Sequence, residues 1–488
     1  MNQTANAKER HAIPRWNSLN MANRLGELSP VSAPSHSDGT NWGEELPRLL
    51  DEWKEEKNIP LAVEILSAVE MARSDIPIDD VISYLKSSLS TMDNVPPMLS
   101  DIVFGNGTDE DLIEEGSGIK QIRQSLIQYP HNPLLWSELA REYLIKGQLK
   151  KSELAIRTAY QLSPNNRAIL RAISRLYAHE RDYDQASYYL RKTPLINCDP
   201  WILSAEIAIS NESGKASRYI KTGQRMLENA NYDARSLSEL GSELATLDYF
   251  SANAKQGKRK IERVLPMLHE NAAAQIVWLD NNVHKMPSII SQLQSPDCNY
   301  EAETMLEVSN HNWRTAIDNA NKWKNYQPFS SGPAMVISYL LSDYLQEYQK
   351  ACSVLHEALK ANPNNVELLN NYAYALLMIG DLGNATDALK RAKRLYPSKS
   401  YVPIIATEGL LSYRQGNADE GRSLYEKAIV QAKKNNDPKT LFEVYLHLAR
   451  EEKISGNSID EYMQIINSSK FSCYKPEFED VISNFKLE

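Results

Sequence analysis

Apolar residues recur three and four positions apart along most of the chain, and no stretch alternates apolar with polar residues as a half-buried strand would. The pattern predicts helices almost throughout. It is sharpest between residues 133 and 166. There Trp136, Leu139, Ala140 and Tyr143 form one stripe, Gly147 interrupts it, Ser152, Ile156 and Ala159 form a second, and Pro164 follows. Residues 366–397 repeat the arrangement with Leu369, Tyr372, Ala373 and Leu376, then Gly380, then Ala385, Leu389 and Ala392, then Pro397. Each stretch is predicted to be a helix, a tight turn and a second helix. The small Ser152 or Ala385 allows close approach, and the proline cannot continue the helical ladder.

These offsets match the spacing of the tetratricopeptide repeat (TPR), and the chain resembles that family. A single helix pair cannot bury its apolar face alone, so two clear copies far apart imply weaker copies between them. Residues 167–194 supply one through Leu170, Ile173, Tyr177, Tyr183, Ala186 and Leu190. Residues 332–365 supply another through Met335, Tyr339, Tyr348, Ala351, Leu355 and Ala358, closing on the same Pro-Asn-Asn tripeptide as residues 164–166. Helix pairs of drifting length fill 201–227, 237–264, 272–293 and 300–328, and two more lie around Gly416 and Gly456. The resemblance implies an all-α fold over residues 119–488, a right-handed α-solenoid of stacked antiparallel helix pairs forming a TPR superhelix, preceded by a small N-terminal helical module.

That module is expected at residues 42–90, where three helical stretches are separated by Ile59-Pro60 and Ile76-Pro77. Residues 1–41, rich in Asn, Ser, Pro and Gly, are expected to form a disordered N-terminal tail; a partner-docking segment around Trp16 is the alternative. Residues 91–118 concentrate Pro, Gly and the acids Asp109, Glu110, Asp111, Glu114 and Glu115, the composition of an acidic linker.

Composition narrows the function classes. The chain has 488 residues, 42% hydrophobic and 24% charged, enough for one long solenoid or three compact domains. Its four cysteines, Cys198, Cys298, Cys352 and Cys473, match neither a zinc site nor a disulfide framework, so a reducing compartment is expected. No apolar run is long enough to span a membrane and the N-terminus lacks the apolar segment of a secretion signal, so no membrane insertion and a cytoplasmic location are expected. No phosphate-binding loop, H-E-x-x-H or G-x-S-x-G occurs, and the acidic segment lacks the ligand spacing of a calcium loop. His311 and His447 lie in helical stretches with no second His at metal spacing. No catalytic residue, metal site or cofactor is therefore expected, and the chain is not expected to be an enzyme.

Binding is the better-supported class. In the family the first helix of each pair lines a concave groove, which implies that Arg141, Arg171 and Arg175 face it from adjacent pairs. Clustered arginines clamp carboxylates, pointing to a partner with an acidic segment. They depart from the Lys and Asn carboxylate clamp of the family, and the competing expectation pairs them with Glu138, Glu142 or other acids of the repeats. Leu340, Asn370, Tyr374, Leu377, Leu410 and Tyr413 occupy the equivalent slots later in the chain and suggest an apolar, aromatic peptide-binding groove with one amide. Nucleic acid is disfavoured by a net charge of −9 and a pI near 5.7; the basic stretch Lys255 to Arg263 is expected on the convex side. The expected function is a non-catalytic protein–protein interaction adaptor or regulatory subunit that binds peptide segments in the concave groove. The alternative is a peptide-responsive regulator whose N-terminal helical module is repositioned on ligand binding.

Overall fold

The computed structural model describes residues 10–18, 42–55 and 57, scattered positions from 61 to 84, and residues 117–482 apart from 129, 230–231, 294–298, 397–399 and 480–481. The expected acidic linker lies outside the described residues up to position 116, as do Pro397 and Cys298. Among the described residues every regular element is helical. They divide into two compact units, residues 9–302 and 303–488.

The first unit pairs Pro133–Ile145 with Leu149–Leu162, Arg167–His179 with Tyr183–Lys192, Pro200–Glu212 with Ile220–Glu228, and Ser238–Phe250 with Ala254–Val264, and ends with Glu270–Asn282 and the short Pro287–Ile290. The second unit pairs Ser331–Tyr339 with Tyr348–Ala361, Val366–Met378 with Leu382–Leu395, Val402–Arg414 with Ala418–Lys434, and Pro438–Ile454 with Asp460–Ile466. Within each unit the first helix of a pair packs on its own second helix and on the first helix of the next pair. Each unit is thus an all-α solenoid whose first helices form one continuous layer. The second unit's core shows why stacking is required: Leu340, Leu376, Leu410, Tyr425 and Phe442, each from a different helix or helix junction, share one buried cluster.

Local chemistry sets the joints. The helix Leu149–Leu162 stops short of Pro164, and Asn166 then caps the next helix, its Oδ1 accepting from Ala168 N at 2.9 Å and Ile169 N at 3.3 Å. Asn365 does the same through Leu368 N at 3.0 Å. The Pro-Asn-Asn tripeptide therefore ends one repeat and begins the next. Close approach inside a pair is secured by Ser152, whose Oγ donates to Ala140 O at 2.7 Å.

The turns explain the drifting middle repeats. Gly147 and Gly380 adopt left-handed backbone, with φ of 74° and 85°. The same conformation recurs at Gly214 (74°) and, without glycine, at Arg181 (62°), Ala252 (58°), His311 (60°) and Gln346 (57°), with Arg181 lying 34 positions after Gly147 and Gln346 lying 34 before Gly380. Those turns keep the geometry without the glycine, so the sequence signal fades while the fold persists. One helix departs from regular geometry: Ser331–Tyr339 runs into a π-helical segment at Leu340–Tyr344.

The N-terminal region differs in part from its expectation. In the helix Trp42–Glu55, Leu46, Leu49 and Trp53 are buried with Leu61, Ala62, Ile65 and Val81, and Trp53 Nε1 donates to Asp80 Oδ2 at 2.8 Å. Within the expected disordered tail, residues 10–17 are ordered, with His11, Ala12, Pro14, Arg15, Trp16 and Asn17 all buried in the first unit. Half of these residues are apolar, and the polar ones find buried partners on the helices, which composition does not reveal.

The turn geometry sets opposite outcomes for two substitutions. Left-handed backbone costs an L-residue about 1–2 kcal/mol, and a Cβ at Gly380 would meet nothing within 4 Å. Gly380→Ala is expected to lower stability by about 1 kcal/mol through backbone strain alone. Ala252→Gly is expected to raise it by roughly 0.5 kcal/mol after the added unfolded-state entropy of glycine. Denaturant midpoints at constant m-value check both signs.

Candidate binding sites in the two units

In the first unit two of the three arginines expected in the groove, Arg141 and Arg171, have carboxylates beside them. Arg141 is buried, with Nη1 3.1 Å from Glu142 Oε1 and 3.6 Å from Glu138 Oε1. Arg171 lies with its guanidinium 5.1 Å from the Trp201 ring centre and donates to both carboxylate oxygens of Glu239, at 2.9 and 3.1 Å. Burial, with Arg15 nearby, pulls Arg175 down to about 10.

The acids of this layer are as prominent as its arginines. Glu206, Glu239, Glu243 and Glu270 are fully buried on the first helices of successive pairs. Burial alone would raise Glu239, but Arg171 and His269 outweigh it and hold the carboxyl well below its usual range. His269 stands between two of the acids, 3.2 Å from Glu239 and 2.7 Å from Glu270. Residues 10–17 lie against this layer, with Trp16 O accepting from Arg141 Nε at 3.3 Å and His11 Nδ1 2.8 Å from Glu243 Oε1.

The second unit holds a cavity of about 200 Å³. Its walls include Tyr339, Asp343, Asn370, Tyr374, Glu443 and His447, with Val402, Pro403 and Ala406 as apolar surface. The π-helical segment supplies Asp343, and the helix Pro438–Ile454 supplies Glu443 and His447. His447 Nε2 is 3.2 Å from Asp343 Oδ1, and Tyr339 donates to Glu443 at 2.8 Å. Asn370 is buried at 4% exposure, and its Oδ1 has no hydrogen-bond partner among the described residues. Tyr374 stacks on His447 with ring centres 5.3 Å apart and accepts from Arg450 Nη1 at 2.9 Å. Burial foremost, then the charge of Asp343, pushes Glu443 up to about 7, against the smaller opposing effects of Lys439 and the Tyr339 hydrogen bond.

A family model for the tetratricopeptide repeat matches residues 343–400, within the second unit. The chain carries tetratricopeptide repeats. Among solved structures, the TPR protein is similar to MamA from Desulfovibrio magneticus RS-1 at 16% identity, with 40% of this chain and 99% of that one covered and a TM-score of 0.26. It is also similar to yeast Tom70 at 12% identity, with 80% and 97% covered and a TM-score of 0.33. At these scores the likeness carries no argument, and the assignment rests on the family match and the repeated helix pairs. Comparison with curated protein sequences finds no match.

Of the later slots in this TPR protein, Asn370 and Tyr374 meet in the cavity. Leu377, one turn further on, is buried in the apolar cluster, as are Leu340 and Leu410. Tyr413 packs on Tyr425, its phenol hydrogen-bonded to Glu452. Spacing along one helix assigns a face but not how far the neighbouring pairs close over it. Asp343 and Glu443 went unnoticed because nothing in their local sequence sets them apart. His447, lone in sequence, has its partner 104 positions away. In the basic stretch, Lys260 is bonded to Asp248, and Lys258 lies 3.7 Å from Glu262. Among the described residues no cluster of His, Cys, Asp or Glu could hold a metal ion, and no helix is long and apolar enough to cross a membrane.

Glu443 gives a pH-dependent outcome. Its carboxyl titrates above the usual value of 4.5 in the folded state, so its charge opposes folding fully above about pH 7 and not at all well below 4.5. Glu443→Gln keeps an acceptor for Tyr339 and removes the charge. The variant is expected to melt above the wild type at pH 8, with the difference shrinking at pH 5. Calorimetric Tm values at the two pH values check this.

Proposed function

We propose that the protein is a non-catalytic adaptor or regulatory subunit that holds a segment of a protein partner in the cavity of its second unit. The observation that carries this is Asn370. A buried carbonyl oxygen left unmatched costs about 1–3 kcal/mol, and here it faces a cavity beside two carboxylates. A backbone N–H of a bound segment satisfies Asn370, and a basic side chain answers Asp343 and Glu443, whose mutual repulsion is reflected in the raised Glu443. The ring of Tyr374 and the Val402, Pro403 and Ala406 surface provide apolar contact for the stem of that side chain. The partner segment is therefore basic at this site. An acidic segment at the first unit's arginines has less to support it, because Arg141 and Arg171 already have carboxylates beside them. A reducing, cytoplasmic setting agrees with Cys198, Cys352 and Cys473 being free thiols.

The test is quantitative affinity purification of wild type and of an Asn370→Ala/Glu443→Gln variant with matched helical content. A stoichiometric partner bound by the wild type is expected to fall at least tenfold in the variant. Equal recovery by both proteins would remove the second-unit cavity from the function.

A further inference from the structure

Residues 10–17, RHAIPRWN, form neither helix nor strand and cross the first unit from the helix Pro133–Ile145, at Trp16, to the helix Glu270–Asn282, at Arg10. The helices hold them as a receptor holds a peptide. The main chain is gripped by side chains: Glu243 accepts from Ala12 N at 2.9 Å, Asn271 Nδ2 donates to Ile13 O at 3.0 Å, and Gln275 Nε2 donates to Arg10 O at 2.6 Å. Such contacts fix a backbone without reading its sequence.

The reading is done by charge. Glu301 takes both arginines, with Oε1 2.9 Å from Arg10 Nη2 and Oε2 2.5 Å from Arg15 Nη2. Arg10 Nη1 also donates to Gln275 Oε1, and Arg15 Nε lies 3.7 Å from Glu270. His11 meets Glu243, which among the described residues is paired with no lysine or arginine and accepts from Asn211 at 3.3 Å. Glu239, by contrast, is answered by Arg171 and His269 from the helices themselves. Glu243, Glu301 and Gln275 are thus arranged for a cationic strand that the helix layer does not itself supply. Apolar anchoring comes from Ala12, Ile13, Pro14 and Trp16, and the two arginines supply the charge that a competitor must also reproduce.

We propose that this groove is a recognition site for a non-helical partner segment carrying two arginines in the spacing of Arg10 and Arg15, and that residues 10–17 are a tethered occupant which that segment displaces. The site is separate from the second-unit cavity, and either stands without the other. Tethering raises the local concentration of the occupant. The resting protein is therefore closed to weak ligands and open to those that match its charges.

The probe is a fluorescent synthetic peptide of sequence RHAIPRWN, titrated into full-length protein and followed by anisotropy. Wild type is expected to bind it weakly. Arg10→Ala/Arg15→Ala, which loosens the tethered segment, is expected to bind it at least tenfold more tightly. Adding Glu301→Gln to that variant is expected to abolish the gain, and a peptide with both arginines replaced by glutamate is expected not to bind. An Arg10→Ala/Arg15→Ala protein with native helical content that binds no better than wild type would overturn the proposal. Hydrogen exchange on the wild type gives a second reading that needs no variant. A displaceable occupant exchanges the Ala12 amide at least tenfold faster than the Ile276 amide of the helix beneath it. Equal protection of the two amides would make residues 10–17 a fixed part of the fold and the proposal wrong.

Discussion

No helix pair in this protein can bury its own apolar face, and that constraint organises everything else. Each first helix must pack on the first helix of the next pair, so the first helices line up in one layer within each unit. Residues far apart in sequence then become lateral neighbours on that layer. Arg171 and Glu239 reach each other across the intervening helix Pro200–Glu212, and Asp343 and His447 meet across two intervening pairs.

The same constraint divides what sequence shows from what it hides. Stripes, turns and stops are local, so the helix pairs around Gly147 and Gly380 and the Pro-Asn-Asn joints could be read directly. The drifting pairs were harder because Ala252 and His311 take the left-handed turn without a glycine to mark it. Site residues were legible only in part. Asn370 and Tyr374, which spacing puts on one face, both line the cavity, whereas Leu377 and Tyr413 are covered by neighbouring pairs whose positions spacing does not supply. Asp343 reaches the cavity through a π-helical segment, a one-residue widening of the helix that no apolar period announces.

The first unit shows how charge substitutes for apolar content. Its inner layer buries several glutamates on successive helices, and isolated carboxylates there would be costly. Arg171 and His269 answer some from within the layer, and the N-terminal segment answers others from outside it. A segment whose composition resembles a disordered tail is ordered because its partners are already fixed on helices. Composition describes what a segment could bury by itself, and here the helices supply the other half of each interaction.

The two hydrogen bonds that cross the second-unit cavity have a consequence for how that unit unfolds. Tyr339 to Glu443 and Asp343 to His447 each span 104 positions, in an array whose other contacts are mostly between adjacent helices. They join residues 331–344 to the helix Pro438–Ile454, three pairs on, so these pairs are closed on themselves like a clasped bracelet rather than open like a row of tiles. An open row frays from its ends, one pair at a time. A clasped one resists fraying until the clasp parts, and its pairs then come undone together rather than in sequence.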